Sequence, residues 1–131
     1  MQNKHRPIES TEERTKSILS EMKNQSITSS GVYSRQQVSS LVPNKEVKRI
    51  ELVVLRRYPR RLVNSTNYIG SLAAACGRDE TGLIGLVLWG DQVDRVRTGD
   101  VIQIRGGWCR YSHGQKVIST GRTGSLTILE A

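Results

Sequence analysis

The segment that decides the fold is LIGLVLWGDQ, residues 83–92, whose apolar residues alternate as they do in a β-strand. One face of this strand is purely aliphatic: Ile84, Leu86 and Leu88. Successive strand residues point to opposite faces, so Trp89 falls on the other face, together with Gly85. We expect the aliphatic face to be buried. The sequence therefore predicts a strand that places one of the chain's two tryptophans on the face opposite its aliphatic residues.

Further strand patterns, separated by turn signals, occur on both sides of this segment. They are rich in Val, Ile and Leu and cover residues 47–57, 71–76, 83–89, 101–112, 116–120 and 125–129. The segment 77–82, GRDETG, is typical of a tight turn, and Gly106 with Gly107 indicates a bulge. The amphipathic helices that a doubly wound α/β fold requires between strands are missing. The pattern predicts an all-β domain, a small barrel or a sandwich, over residues 46–131.

The first 45 residues differ from the rest in composition and pattern. We expect residues 1–9 to be disordered and residues 10–45 to form a short helical extension. Ser10 and Glu13 have the spacing of a capping box ahead of a first helix, and a second, shorter apolar stripe ends at Pro43. These helices are too short to hold a core of their own. They therefore pack on the rest of the chain, bind a partner or stay mobile.

The chain has a net charge of +8, and most of the excess lies in the β-rich part. Residues 47–131 hold 13 Lys and Arg against 7 Asp and Glu, whereas residues 1–46 hold 7 against 5. This positive field favours polyanions, with nucleic acid first and an anionic membrane surface second, although a merely soluble basic surface stays open. No apolar run is long enough to span a membrane, and the start lacks the apolar stretch of a signal peptide. We therefore expect an intracellular protein of the cytoplasm or nucleoid.

Residues that carry chemistry are few and scattered. Cys76 and Cys109 are the only cysteines, neither belongs to a CxxC pair, and His5 and His113 are far apart. We therefore expect free buried thiols and no metal site. No Gly-rich phosphate loop, nucleophile elbow or zinc-protease motif is present. The sequence predicts a protein with neither a cofactor nor an enzymatic activity.

Several motifs occur in order between residues 77 and 121. They are Asp79, Thr81 and Gly82 in a turn, Trp89 at a strand end, Gly99 and Asp100 before the next strand, then Trp108 and Gly121. In this order and spacing, the segment resembles the OB-fold of single-stranded DNA-binding proteins of the archaeal replication protein A type. It is also similar to the eukaryotic sensor-of-single-stranded-DNA proteins. The resemblance covers residues 47–130 and implies a five-stranded OB-fold barrel. It further implies a protein that coats and protects single-stranded DNA, with little sequence preference, in replication, repair or recombination.

The resemblance also implies which aromatic residues contact DNA. Trp89 and Trp108 match the family's two stacking positions. The alternation alone is equally compatible with Trp89 as a core residue that seals the barrel, whereas a ring on an open, positively charged face can stack on any base. The family usually has a phenylalanine at the position of Ser112. Tyr111 is the candidate substitute if the bulge changes the register of its strand.

Basic residues near the expected groove are candidates for phosphate contacts, because OB-folds bind strands across this face and its flanking loops. Four of them crowd the connection after the first strand, and three lie on the last strands: Arg56, Arg57, Arg60 and Arg61, then Arg105, Arg110 and Lys116. For the first group, a solvated charge run is the ordinary alternative. Asp79 matches the family but is expected to form a turn rather than to contact the ligand.

Two other functions stay open at this stage. OB domains also bind RNA or tRNA, and an OB-fold interaction subunit of a larger replication complex would dock a protein partner through its N-terminal helices. Paired titrations with DNA and RNA distinguish the first alternative, and deletion of residues 1–42 distinguishes the second. The sequence leaves the oligomeric state open.

Overall fold

The computed structural model describes residues 15, 16, 18, 19 and 34–131. Six β-strands make up most of it: β1 (Lys45–Arg57), β2 (Arg61–Asn64), β3 (Ile69–Asp79), β4 (Gly82–Trp89), β5 (Val101–Ser112) and β6 (Gln115–Glu130). From residue 34 onward, the helical elements are one 3-10 turn at Val38–Ser40 and the short helix α1 (Gln92–Arg95). In the part of the chain that is described, no helix is long and apolar enough to cross a membrane.

Five of the strands close into a barrel. Their hydrogen-bonded order is β1-β5-β6-β4-β3, and β1 pairs with β3 to complete the circuit. These pairs are antiparallel except β4–β6, which is parallel. Among the described strands, β2 pairs only with β3 and stands outside the closed barrel. The predicted all-β class and five-stranded barrel are confirmed, whereas β2 lies in a basic connection where no strand is predicted.

The barrel interior is filled by alternate residues of each strand. On β4, Ile84, Leu86 and Leu88 are at most 3% exposed, as the alternation predicts. They pack with aliphatic residues of the other barrel strands and of the segment before β1. Cys109 also lies in this core, where burial raises the pKa of its thiol. Cys76 is only partly buried, and both cysteines are free thiols.

A bulge in β5 fixes which of its residues face outward. The register of the β5–β6 pair shifts between Arg105 and Gly107, and Gly106 has a φ of 64°, which favours glycine. Residues 121–124 of β6 lie opposite Gly106, and a Cβ at Gly121 would come within 2.8 Å of the Gly106 carbonyl oxygen. The predicted bulge is therefore confirmed. The excursion on β6 explains why the sequence indicates two strands where the structure has one.

Residues 34–44 form an N-terminal strap that runs between β1 and the β3–β4 turn. Gln36 makes a parallel bridge to β1, and its backbone N–H donates to the carbonyl of Arg49 (2.8 Å). The buried side chains of Val38 and Leu41 join the barrel core. The strap is therefore part of the folded domain rather than a separate extension.

The structure of the strap does not support the helical extension predicted for residues 10–45. Its second helix is replaced by extended chain with the single 3-10 turn at Val38–Ser40. The physical reason is that groups on the barrel bond the strap's backbone. The N–H of Val38, for example, donates to the carboxylate of Asp79 at 2.9 Å.

The first predicted helix lies largely outside the described residues. The four residues that are described there, 15, 16, 18 and 19, are helical. Ile18 packs against Val53 and Val101 in a second, small apolar cluster. Residues 1–9, where disorder is predicted, also lie outside the described residues.

Asp79 organises the turn between β3 and β4. Its fully buried carboxylate accepts hydrogen bonds from the backbone N–H (2.7 Å) and the hydroxyl (2.6 Å) of Thr81. Since it also accepts from the N–H of Val38, it ties the N-terminal strap to the barrel. The turn-forming role predicted for Asp79 is confirmed.

A buried ion pair closes the same corner of the fold. Arg35 donates to both carboxylate oxygens of Glu80, at 2.9 and 2.7 Å, and its side chain is 3% exposed. These hydrogen bonds hold the pKa of Glu80 below its ordinary value of 4.5, against the opposing effect of burial. The same contact raises the pKa of Arg35. Ionised Glu80 therefore stabilises the attachment of the strap.

Replacing Glu80 with glutamine is expected to lower the free energy of unfolding at neutral pH by about 1–3 kcal/mol, because Arg35 loses a charged partner. A lowered carboxyl pKa adds stability that is present above the unfolded-state pKa and is lost as the pH falls through the folded-state pKa. The difference between wild type and Glu80→Gln should therefore shrink below about pH 4.

Urea unfolding at about pH 7 and about pH 3 measures this difference. The control is Glu46→Gln, at an exposed position of β1. An equal difference between wild type and Glu80→Gln at both pH values would contradict a stabilising role for the charge of Glu80.

Candidate nucleic-acid interface

A groove of about 680 Å³ lies on the outer face of the barrel. The β2–β3 hairpin bounds it on one side and β5 with β6 on the other, with β4 between them. Small side chains form its middle: Ala74, Gly85, Val87 and Val117. At Gly85 a Cβ would lie 3.2 Å from a methyl carbon of Val117, so a larger residue there would crowd the floor. The result is an open, shallow surface on which a planar ring can rest.

Trp89 lines this groove and is partly buried. Its position on the face opposite the buried aliphatic residues of β4 is confirmed. The indole Nε1–H donates to the hydroxyl oxygen of Thr120 at 2.9 Å. The ring of Tyr68 lies beside it, with the two ring centroids 5.5 Å apart and the planes tilted by 53°. Trp89 is therefore held at its edges rather than enclosed in the core.

Trp108 lies on the same outer face, one strand beyond β6. It is 45% exposed and pairs across the ladder with Ser119, which lines the groove. Two residues further along β5, Arg110 also lines the groove. Because residues two apart in a strand share a face, Trp108 and Arg110 project to the same side. The outer face thus carries two tryptophans, one in the groove and one at its edge.

Two of the predicted arginines approach the groove from opposite sides. Arg61 projects from β2 and Arg110 from β5, and both are exposed. Arg56 lies at the end of β1 with its guanidinium carbon 5.9 Å from the ring centroid of Tyr58, which also lines the groove. None of the described residues that line the groove is acidic. The groove therefore has a positive potential along both sides.

Three other predicted arginines are not among the residues that line the groove. Arg57 donates to the carbonyl of Tyr58 at 3.3 Å, and Arg60 forms an exposed ion pair with Asp94. Arg105 donates to Gln103 at 2.9 Å and lines a separate depression of about 280 Å³. The structure places Arg61 and Arg110 along the groove that Trp89 lines, whereas Arg57, Arg60 and Arg105 are not among its lining residues.

Tyr111 and Lys116 pair with each other near the tip of the β5–β6 hairpin. They project to the opposite side from Arg110. The ammonium group of Lys116 donates to the carbonyls of Val38 and Leu41, at 3.1 and 3.0 Å. Tyr111 is 63% exposed. Lys116 therefore fastens the N-terminal strap, and neither residue lines the groove.

Known proteins provide an independent comparison. No protein-family model matches the sequence. The chain is 29% identical over 86 residues to the single-stranded DNA binding protein Ssb of Saccharolobus solfataricus, a match that covers 66% of this chain and 58% of that protein. The chain thus spans a little over half the length of this relative.

Solved structures share both the fold and part of the sequence. The crystal structure of a domain of replication protein A from Methanococcus maripaludis matches with a TM-score of 0.59 and 27% identity, over 73% of this chain and 96% of that one. The barrel of this chain is therefore an OB-fold, similar to the OB-fold domain of replication protein A from that organism. The replication factor A related protein from Methanobacterium thermoautotrophicum has the same fold, with a TM-score of 0.61 and 23% identity over 72% of this chain and 90% of that one.

In this OB domain, the register of β5 after the bulge places Ser112, and not Tyr111, in the groove. Ser112, the position where the resembled family usually has phenylalanine, lines the groove, whereas Tyr111 faces away from it. The bulge lies before Trp108, so it shifts the register of Trp108 and Tyr111 together. The two side chains therefore stay on opposite faces of β5, and Tyr111 does not turn toward the groove. The groove therefore has a hydroxyl where the resemblance implies a ring.

Two tyrosines line the groove of the OB domain but are not among the site residues predicted from the sequence. Tyr68 packs against Trp89, and Tyr58 lines the groove beside Arg56. The signal for Tyr68 is Gly70, where a Cβ would lie 2.7 Å from the tyrosine hydroxyl oxygen. That glycine allows the Tyr68 ring to fold back over its own strand, which the spacing of aromatic residues alone does not indicate.

Proposed function

We propose that this OB domain binds single-stranded DNA in the groove, with little sequence preference and without catalysis. The observation that carries the proposal is the partly buried ring of Trp89, which lines a groove flanked by Arg61 and Arg110. A core tryptophan would be enclosed by aliphatic neighbours, and this ring is not. The relative from Saccharolobus solfataricus, whose name states that it binds single-stranded DNA, supports the same ligand.

Base stacking supplies the contact that does not depend on sequence. Every base has a π-face, so stacking on Trp89 and then Trp108 tolerates any base and contributes about 1–3 kcal/mol per base. The small residues around Gly85 leave room for the stacked ring. Since both tryptophans are on one outer face, one extended strand can contact both. A duplex keeps its bases paired and stacked inside, so it cannot make these contacts.

Phosphate contacts supply the remaining affinity. We assign them first to Arg61 and Arg110, which flank the aromatic surface, and then to Arg56 at its end. Each neutralised phosphate releases counterions, so affinity falls as salt rises. Arg60 joins only by leaving its ion pair with Asp94. Protection of exposed strands in replication, repair or recombination is the cellular role that follows.

The proposal is tested by titrating the chain with oligo-dT, with duplex DNA and with RNA of equal length. We expect oligo-dT to quench tryptophan fluorescence, with an affinity that falls steadily with added salt, and the duplex to bind much more weakly. No quenching by oligo-dT, or binding that is indifferent to salt, would count against the proposal. Tighter binding of RNA than of DNA would assign the groove to RNA instead.

A further inference from the structure

A closed set of three hydrogen bonds holds Trp89 at two points, its backbone N–H and its indole Nε1–H. Its backbone N–H donates to the side-chain oxygen of Gln92 at 3.3 Å, and the amide nitrogen of Gln92 donates to Thr120 at 2.9 Å. The indole Nε1–H donates to the same hydroxyl oxygen of Thr120, also at 2.9 Å. Thr120 is 4% exposed and Gln92 is 9% exposed. These bonds therefore lie away from water, where breaking one leaves a polar group without a partner.

A second set of bonds fixes the neighbouring ring of Tyr68. Its hydroxyl donates to the carbonyl of Ser71 at 2.6 Å and accepts from the backbone N–H of Gly90 at 2.9 Å. Gly90 follows Trp89 directly in the chain. The hydroxyl of Tyr68 is therefore hydrogen-bonded to the backbone of β3 and to the residue that follows β4, and its ring lies against the indole.

We propose that Thr120 and Tyr68 are positioning residues that hold Trp89 ready to stack on a base. The inference rests on the proposed function and adds two residues whose role is to hold Trp89 in place. A ring that is already fixed loses little conformational entropy when a base stacks on it, so less of the stacking energy is spent on ordering the site.

The same bonds restrict what the site can recognise. An indole has a single donor and no acceptor, and in this structure Thr120 takes that donor. The tyrosine hydroxyl is also engaged, as donor and as acceptor. Trp89 and Tyr68 therefore offer DNA the π-faces of their rings, while their donor groups are already engaged. Stacking on a π-face tolerates any base, in agreement with binding without sequence preference. Recognition of a base edge would need another side chain.

The test is Thr120→Val, which keeps the shape of the side chain and removes the hydroxyl. In the free protein, we expect the Trp89 indole N–H to exchange with D2O faster than in wild type, as followed by NMR after assignment with Trp108→Phe. At a temperature where both proteins are folded, affinity for oligo-dT should fall about 3- to 10-fold, the equivalent of one lost hydrogen bond. Thr120→Ser, which restores the hydroxyl, should recover both the protection and the affinity.

A purely structural role would lower the melting temperature of Thr120→Val and leave its affinity unchanged, and that result would overturn the inference. If Thr120→Val does not fold, Tyr68→Phe decides, because it keeps the ring and removes the fixed hydroxyl. An unchanged affinity in folded Tyr68→Phe would then overturn it. If wild type fails to bind oligo-dT while its indole N–H is protected, the proposed function fails and the positioning of Trp89 is retained.

Discussion

Replacing Trp89 with alanine is expected to weaken binding of oligo-dT by about 10- to 100-fold, since stacking on one aromatic contributes about 1–3 kcal/mol. The effect should exceed that of any single arginine, because the ring forms part of the groove wall and is oriented before DNA arrives. Fluorescence anisotropy of a labelled oligonucleotide measures the affinity without relying on the tryptophan that has been removed.

Two variants serve as controls for Trp89→Ala. Trp89→Phe keeps a ring without the indole donor and should bind with intermediate affinity. Leu83→Ala removes an apolar side chain from the same outer face of β4, at a position that is 60% exposed and outside the groove, and should bind as wild type does. A folded Trp89→Ala protein that binds as tightly as wild type would show that the ring is not a stacking surface.

Reversing the charge of both Arg61 and Arg110 should reduce affinity by about 10- to 100-fold at low salt. Each phosphate contact to a single strand contributes about 0.7 to the slope of log K against log salt, so the slope should decrease by about 1.4. The reason is that these two side chains flank the groove from opposite strands. Dissociation constants at several salt concentrations give both numbers.

The matched control reverses two exposed charges outside the groove, Lys45→Glu with Arg97→Glu. Both double variants lower the net charge equally, so they differ only in where the charge is removed. If the control loses as much affinity and as much salt dependence as Arg61→Glu with Arg110→Glu, the general field of the protein attracts DNA and the groove does not.

Local geometry explains why much of this fold can be predicted from sequence. Alternation has a period of two residues, so the order of residues on β4 fixes both the buried aliphatic face and the outward position of Trp89. A glycine with positive φ is likewise a local requirement, and Gly106 indicates the bulge of β5 before any partner strand is known. Asp79 forms its turn with Thr81, two residues away, so that role is local as well.

Long-range pairing decides the features for which the sequence was insufficient. Arg60 and Lys116 belong to the same basic set in the sequence, yet one pairs with Asp94 and the other bonds carbonyls of a strap more than 70 residues away. The strap is held by partners far away in sequence, since Gln36 bridges to β1 and the Asp79 carboxylate accepts from the N–H of Val38.

The sequence by itself determined which face of the barrel carries Trp89, because that depends on neighbouring residues of one strand. Only the tertiary structure decided which arginines line the groove and how the ring of Trp89 is held. Arg61 and Arg110 meet at the groove from different strands, and Thr120 reaches Trp89 from 31 positions away. Contacts between distant positions arise from the closure of the barrel, which no local pattern records.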